Sequence, residues 1–289
     1  MAHRSLLGSR EDINPSHTFS ACCKIILYGW SAERAMIKQT FLLLPGIGQV
    51  KERRLWESGV LSWEEFARRD ALQGISPRRK TVMDRELEAA TERWERGNTE
   101  YFYRLLPSGQ HWRMYRRLKE DTAYLDIETD GLGSGAVTTM ISVHRNGRTV
   151  TLTRGMDLTA ESVRQALEGV KMLVTFNGST FDLPMIEREF PFTVPRVPHY
   201  DLRHACPKVG LRGGLKHVEV MLGYRRPQEV EYVTGEEAVY LWRLWQRKGS
   251  ENALNLLRRY NQEDTRNLEP LADTVYARLA EGLLRECAR

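Results

Sequence analysis

Two acidic residues in one short segment could bind a metal ion. Asp126 and Glu128 alternate with Leu125 and Ile127 in a stretch typical of a β-strand. Because successive side chains of a strand point to opposite faces, the two carboxylates share one face. Adjacent carboxylates repel each other unless a cation lies between them. Taken alone, the pair is more typical of a solvated strand end than of a metal site.

A third acid, Asp182, follows a predicted buried strand and opens a helix. It stands in the run Asn177-Gly178-Ser179-Thr180-Phe181-Asp182-Leu183-Pro184. Aspartate is favoured at helix starts as a cap, and Pro184 suits the first turn. Asp182 is therefore open to two interpretations, a metal ligand or a structural cap.

A fourth acid, Asp264, falls on the apolar seam of a predicted helix. The seam repeats at three and four residues through Leu254, Leu257, Asn261, Asp264, Leu268, Leu271 and Val275. A carboxylate there is costly unless it is paired or coordinates a metal. Tyr260 lies one turn earlier, so its phenol can lie beside this carboxylate. A buried ion pair with an arginine is the competing explanation.

The elements that must position these acids are indicated by hydrophobic periodicity and turn residues. Strands are predicted over 124–128, 137–144, 149–153, 172–176 and 199–202, and helices over 160–168, 183–189, 215–222, 236–247 and 251–284. Asn146-Gly147 is a strong hairpin signal between the second and third strands. This order predicts an α/β fold, a mixed sheet with helices on both faces.

A small helical region is predicted ahead of the sheet, over residues 36–120. Ser62-Trp63-Glu64-Glu65 forms a capping box, so a helix should begin at Trp63. Leu44-Pro45-Gly46-Ile47-Gly48 resembles the hairpin of a helix-hairpin-helix element, in which Gly46 and Gly48 would offer backbone N–H groups to a phosphate. A plain tight turn is the alternative. Residues 1–35 lack periodicity, and we expect a loose tail or a start-site extension.

The three acidic motifs together resemble a known superfamily. Asp126-x-Glu128, Asn177-x3-Phe181-Asp182 and Tyr260-x3-Asp264, in this order, resemble the exonuclease motifs of the DEDD (DnaQ-like) superfamily in its tyrosine branch. The wider sequence over 41–284 is similar to the YprB-type ribonuclease-H-like proteins, many of them predicted exonucleases. Segments that carry this similarity are 125–129, 214–219, 235–238 and 260–264. Each motif alone is common, whereas the three together are specific.

The resemblance implies a ribonuclease-H-like exonuclease domain over residues 121–289. It assigns two divalent cations, Mg²⁺ or Mn²⁺, to Asp126, Glu128, Asp182 and Asp264. Tyr260 would orient the attacking water, because a phenol with a pKa of about 10 is a poor base at neutral pH.

The remaining candidates concern substrate contacts and packing. Thr129, Asn177 and Phe181 would contact substrate, and Lys216 could meet a phosphate or equally be a surface charge. His199 is interpreted as structural, and Trp242 and Trp245 as core residues.

Composition limits the class of protein. The chain has 289 residues and a formal charge of +5. Residues 1–120 hold 21 Lys and Arg against 15 Asp and Glu, whereas residues 121–289 hold 22 against 23. The basic excess therefore lies outside the acidic motifs, where it could meet a nucleic acid or be a solvated helical face. Apolar runs are too short for a membrane span, and the four cysteines form no recognisable framework, which favours the cytoplasm.

The sequence thus predicts a metal-dependent 3′–5′ exonuclease acting on DNA or RNA. A structure-specific endonuclease of the same fold is one alternative. A nucleic-acid-binding adaptor with an idle site is another.

Overall fold

The computed structural model describes residues 36–133 and 135–287. The predicted tail over residues 1–35 lies outside this range. A five-stranded sheet stands at the centre of the described residues, and its strands are β1 (Thr122–Thr129), β2 (Thr138–Arg145), β3 (Arg148–Thr153), β4 (Met172–Thr175) and β5 (His199–Asp201). Each strand lies within two residues of its predicted bounds.

The sheet is mixed, in the order β3-β2-β1-β4-β5. β1 pairs antiparallel with β2 and parallel with β4, and the parallel pairing of β1 ends at Tyr124 opposite Val174. Asn146 and Gly147, at the β2–β3 turn, have φ angles of 50° and 72°. A tight hairpin of this kind requires positive φ at both positions, so the predicted turn is confirmed.

Helices precede the sheet, connect its later strands and follow it. They are α1 (Gln49–Glu57), α2 (Trp63–Arg68), α3 (Pro77–Glu95), α4 (Thr99–Leu105), α5 (Tyr115–Leu118), α6 (Ala160–Ala166), α7 (Asp182–Glu189), α8 (Leu202–Ala205), α9 (Leu215–Met221), α10 (Gln228–Glu231), α11 (Gly235–Lys248) and α12 (Glu251–Cys287). Short 3₁₀ helices cover Met36–Gln39, Ser108–Met114, Lys119–Asp121 and Cys206–Val209.

The predicted start of α2 is confirmed, with one difference in its cap. The Ser62 hydroxyl accepts a hydrogen bond from the Glu65 N–H at 3.2 Å. The Glu65 carboxylate reaches back to the Leu61 N–H at 2.6 Å, one residue before the position expected of a capping box.

Both faces of the sheet are covered by helices, as the order of strands and helices predicts. Leu125 and Ile127 lie on one face and pack with Val163 of α6 and Ile186 of α7. The opposite face packs against α12, the longest described helix, which contacts β1, β2, β3 and β4. No helix of the described ranges has the length and apolar character needed to cross a bilayer.

The helical region and the sheet share their larger core cluster. Tyr115 packs against Tyr200 of β5 and Tyr276 of α12, with ring centroids 5.5 and 5.7 Å apart. Its hydroxyl lies 2.7 Å from that of Tyr124 in β1 and donates to Asp273 at 3.0 Å. The boundary predicted near residue 120, between the helical region and the sheet, therefore lies within one continuous hydrophobic core.

Candidate metal centre

Three of the four candidate acids meet on one face of the sheet. Asp126 and Glu128 point from β1 toward α12, and Asp264 points from the buried seam of α12. One carboxylate oxygen from each lies within 4.8 Å of one from each of the others. The side chains of the predicted seam, including Asn261 and Asp264, are buried. The alternation of β1 and the periodicity of α12 thus bring the acids together.

The electrostatics of this cluster are those of crowded carboxylates. Burial raises the pKa of both Asp126 and Glu128 well above the usual range. The nearby charges of Asp182 and Asp264 raise each pKa further. Carboxyl groups so placed stay ionised at neutral pH at a free-energy cost unless positive charge lies nearby.

Asp182 lies beside the three clustered acids and is buried. Its Oδ1 accepts a hydrogen bond from the Ile127 N–H at 3.2 Å. β4 pairs with β1 only as far as Tyr124. Beyond that point the Asp182 carboxylate takes the place of a strand partner for the Ile127 N–H. Burial raises the pKa of Asp182 to about 7. Asp182 is the first residue of α7 rather than its N-cap, so of its two interpretations the structural cap is replaced by a contact to β1.

Asn261 and Arg226 each hold one of the clustered acids. Asn261 Nδ2 donates to Asp126 Oδ2 at 2.7 Å, one turn from Asp264 on α12. Arg226 forms a buried ion pair with Asp264 Oδ1. The arginine partner that competes with a metal at Asp264 is therefore present. The periodicity predicts a buried Asn261, but no local pattern singles out Arg226.

Tyr260 and Lys216 border the acids. Burial, and next the charge of Asp264, raise the pKa of the Tyr260 phenol. Lys216 Nζ lies 4.6 Å from the Tyr260 ring centroid and has no hydrogen-bond partner among the described residues. Burial lowers the pKa of Lys216, opposed by the charge of Asp264.

The predicted substrate contacts near the acids take part in loop structure. The Thr129 hydroxyl donates to the Gly131 carbonyl at 2.7 Å, and the Asn177 side-chain oxygen accepts from Thr180 at 3.0 Å. Asn177 has a φ of 76°, and its N–H donates to Asp201 at 2.8 Å. Phe181 is half-buried against the core on the α7 side of the sheet.

Gly46 and Gly48 stand at the start of α1, in the helical region rather than in the acidic cluster. Gly46 has a φ of 73°, and Gly48 is the N-cap of the helix. Only a four-residue 3₁₀ helix precedes the turn within the described part of the chain. The resemblance to a helix-hairpin-helix element is therefore supported by the turn and by α1, but not by a full first helix within the described residues.

His199 has the surroundings of a structural residue, as interpreted from the sequence. Its Nε2 lies 2.8 Å from the Thr175 hydroxyl on the neighbouring strand. The residue is half-buried, and desolvation lowers the pKa of His199 to about 4. Trp242 is buried in the core, with Trp245 packed against the same cluster.

The donor set fits a hard divalent cation. Its atoms are carboxylate oxygens, which Mg²⁺ and Mn²⁺ prefer. The Asn261 side-chain oxygen is also buried at this point without a hydrogen-bond partner among the described residues. Arg226 and Lys216 supply two positive charges beside four carboxylates, two of them with strongly raised pKa values. A cation would balance the remaining negative charge.

The family comparison assigns this fold. The RNase_H_2 family model, of the RNase H superfamily, matches residues 123–276, which are more than half of the 289-residue chain. The chain therefore belongs to the RNase H superfamily. The matched range includes the four acids and Tyr260.

Two solved structures are also similar. One is a family B DNA polymerase from the hyperthermophilic archaeon Pyrobaculum calidifontis, with 18% identity and a TM-score of 0.43 over 53% of this chain. The matched part spans 24% of the polymerase, about a quarter of its length. The other is the EXO domain of Aedes aegypti Nibbler, with 14% identity and a TM-score of 0.40 over 62% of this chain and 92% of that domain. No curated protein matches the sequence.

Proposed function

We propose that this protein is a divalent-metal-dependent nuclease that removes nucleotides from the 3′ end of DNA or RNA. The observation that carries the proposal is the group formed by Asp126, Glu128 and Asp264, whose carboxylate oxygens lie within 4.8 Å of one another. In a chain of the RNase H superfamily, such a group would be suited to metal-assisted hydrolysis of a phosphodiester. The order and spacing of the motifs favour the tyrosine branch of the DEDD exonucleases and the YprB-type proteins.

The roles of the residues follow from their positions. Asp126, Glu128 and Asp264 would hold a first cation. The carboxylate oxygen of Asp182 that does not accept the Ile127 N–H would help to hold a second. When bound, such ions activate a water and stabilise the charge of the reacting phosphate. The Tyr260 hydroxyl, which keeps its proton because its pKa is raised, would orient the attacking water.

Substrate binding would combine local and remote contacts. Lys216 is a buried ammonium group without a hydrogen-bond partner in the described ranges, and it faces the acids, so it could take a phosphate oxygen. Thr129, Asn177 and Phe181 would shape the loops around the terminal nucleotide. The turn of Gly46 and Gly48 would add backbone contacts to a phosphate farther along the strand.

The test is incubation of the full chain with end-labelled single- and double-stranded DNA and RNA, with Mg²⁺, Mn²⁺ or EDTA. We expect 3′-labelled substrates to release labelled mononucleotide at once, and 5′-labelled substrates to shorten stepwise. EDTA and Asp126→Ala should each stop the reaction. Wild-type turnover in the Asp126→Ala protein would exclude this metal site.

Other outcomes identify the alternatives. Internal cuts at junctions or flaps would make the protein a structure-specific endonuclease of the same fold. Tight nucleic-acid binding without cleavage under any metal condition would make it an adaptor. The ion pair between Arg226 and Asp264 is the observation that favours the adaptor, because it neutralises a ligand without a metal.

Tyr260→Phe tests the tyrosine-branch assignment. The ring still packs and only the hydroxyl is lost, so Mn²⁺ affinity should stay nearly unchanged. The single-turnover rate should fall by about 10- to 100-fold, as on loss of a group beside a metal ligand, and less than on loss of a ligand. An unchanged rate would make Tyr260 a packing residue.

A further inference from the structure

We infer that Arg226, held by Glu219, is the positioning residue for Asp264: it fixes one carboxylate oxygen and leaves the other to a cation. This inference rests on the proposed function, because it assigns a role at the same site. It concerns residues that lie outside the acidic motifs.

The guanidinium group of Arg226 is held by three specific contacts. Arg226 Nε and Nη2 donate to the two carboxylate oxygens of Glu219 at 2.6 and 2.8 Å, and Nη1 pairs with Asp264 Oδ1. The side chains of Arg226 and Glu219 are only 4% and 2% exposed. A two-point contact with a carboxylate fixes the plane of the guanidinium as well as its position. The direction in which Nη1 reaches Asp264 is thereby set by Glu219.

The supports of this pair are themselves anchored to α12. Glu219 Oε1 accepts a second hydrogen bond, from Asn267 Nδ2 at 3.0 Å, three residues beyond Asp264. In the loop that carries Arg226, the Tyr224 hydroxyl donates to the Pro270 carbonyl at 3.0 Å. Glu219 and the segment that carries Arg226 are thus both hydrogen-bonded to α12, the helix that supplies Asp264. The guanidinium and the carboxylate cannot move independently.

Asp126 is held in a comparable way, which supports a positioning role. One of its oxygens accepts a hydrogen bond from Asn261 at 2.7 Å. Each acid facing Glu128 therefore has one oxygen bound by protein. Partners behind a metal ligand set its orientation, and their loss typically costs about 10- to 100-fold in metal affinity.

The opposite role, competition with the cation, makes an opposite prediction. If the positive charge of Arg226 simply occupied the cation's place, its removal would leave the site more negative and Mn²⁺ would bind more tightly. If Arg226 orients Asp264, its removal lets the carboxylate rotate and Mn²⁺ binds more weakly. The sign of the change in affinity therefore decides between the two roles.

The experiment measures Mn²⁺ binding to the full chain by calorimetry and by electron paramagnetic resonance, without substrate. Arg226→Met should weaken binding by about 10- to 100-fold. Arg226→Lys should recover part of that loss, since it keeps the charge but not the two-point contact. Arg225→Met is the matched control, because it removes the same charge from an exposed neighbour, and it should bind Mn²⁺ as the wild type does.

A second variant guards against misfolding, because Arg226→Met leaves Glu219 buried without its partner. Glu219→Leu combined with Arg226→Met removes both charges and should fold, yet it should bind Mn²⁺ as weakly as the single variant. Wild-type or tighter binding in either folded variant overturns the inference. A wild-type protein that binds no Mn²⁺ and cleaves nothing defeats the proposed function instead.

Discussion

Glu128 differs from the other acids of the cluster because it accepts no hydrogen bond from another described residue. Asp126 accepts a hydrogen bond from Asn261 and Asp182 accepts one from the Ile127 N–H, whereas Asp264 forms an ion pair with Arg226. Burial and neighbouring charge raise the pKa of Glu128 well above its usual range. Its ionised form therefore opposes folding in the absence of a metal.

Glu128→Gln should stabilise the metal-free protein at neutral pH by about 1 kcal/mol, because it removes a charge that burial and the neighbouring acids disfavour. Asp264→Asn should stabilise it less, since burial also raises the pKa of Asp264 but the charge of Arg226 offsets part of that rise. Both should lower metal-dependent cleavage by about 100-fold or more. Urea unfolding in EDTA measures the stabilities, with the exposed Glu236→Gln as control. Equal effects of the two substitutions on stability would contradict this distinction.

His199 makes a pH-dependent contribution to stability. Its pKa in the folded protein is about 4, below an unfolded value of about 6.5. A depressed pKa stabilises the fold above the unfolded pKa, and this contribution is lost as pH falls from about 6.5 towards 4. The loss between pH 7 and 4.5 should be about 2 kcal/mol.

His199→Gln tests this expectation, because an amide can still bond to Thr175 but does not titrate. The free energy of unfolding should fall less between pH 7 and 4.5 in this variant than in the wild type. His204→Gln is the control, since that side chain is 59% exposed. An equal fall in all three proteins would show that His199 does not carry the effect.

At the scale of elements, the turn before α1 combines a glycine of positive φ with two basic side chains. Arg79 donates to the Pro45 carbonyl at 3.1 Å and Lys51 to the Gly46 carbonyl at 3.0 Å. A Cβ atom on Gly46 would lie 2.7 Å from the Arg79 guanidinium, and its φ of 73° disfavours other residues. Gly46→Ala should therefore distort this turn.

Gly46→Ala, alone or with a change at Gly48, should weaken nucleic-acid binding without changing the rate on a short substrate at saturation. The slope of log K against log salt should become shallower by about 0.7 to 0.9 for each phosphate that the protein no longer binds. Gly97→Ala is the matched control, because Gly97 has a φ of 70° and open space for a Cβ atom. Unchanged affinity and salt slope in a folded Gly46→Ala protein would make the hairpin a plain turn.

At the scale of the whole molecule, the shared core predicts how the chain can be shortened. Residues 121–289 alone should fail to give a stable protein, because removal of Tyr115 and Trp112 uncovers Tyr200 and Tyr276. Each large side chain exposed costs about 2 kcal/mol, against a typical domain stability of about 5–15 kcal/mol. Residues 36–289 should fold and keep activity, because residues 1–35 show no pattern able to bury a face. Thermal unfolding and cleavage assays of both fragments measure this. A cooperative, soluble 121–289 fragment would show two independent domains.

The elements of the fold were open to prediction because their signals are local. Alternation in β1 places Asp126 and Glu128 on one face, and the three-and-four spacing of α12 places Asp264 on a buried seam. Asn146-Gly147 specifies its turn through two positive φ angles. Each of these signals depends on backbone geometry within a few residues.

The partners of the acids were decided by tertiary structure alone. Asn261 lies 135 residues from Asp126, and Asp182 lies 55 residues from the Ile127 N–H that it accepts. Arg226 stands in an irregular loop without periodicity, so the sequence predicts that Asp264 needs a partner but not which residue provides it. Such contacts form only when helices and strands pack, because the free energy of a buried charge depends on everything that surrounds it.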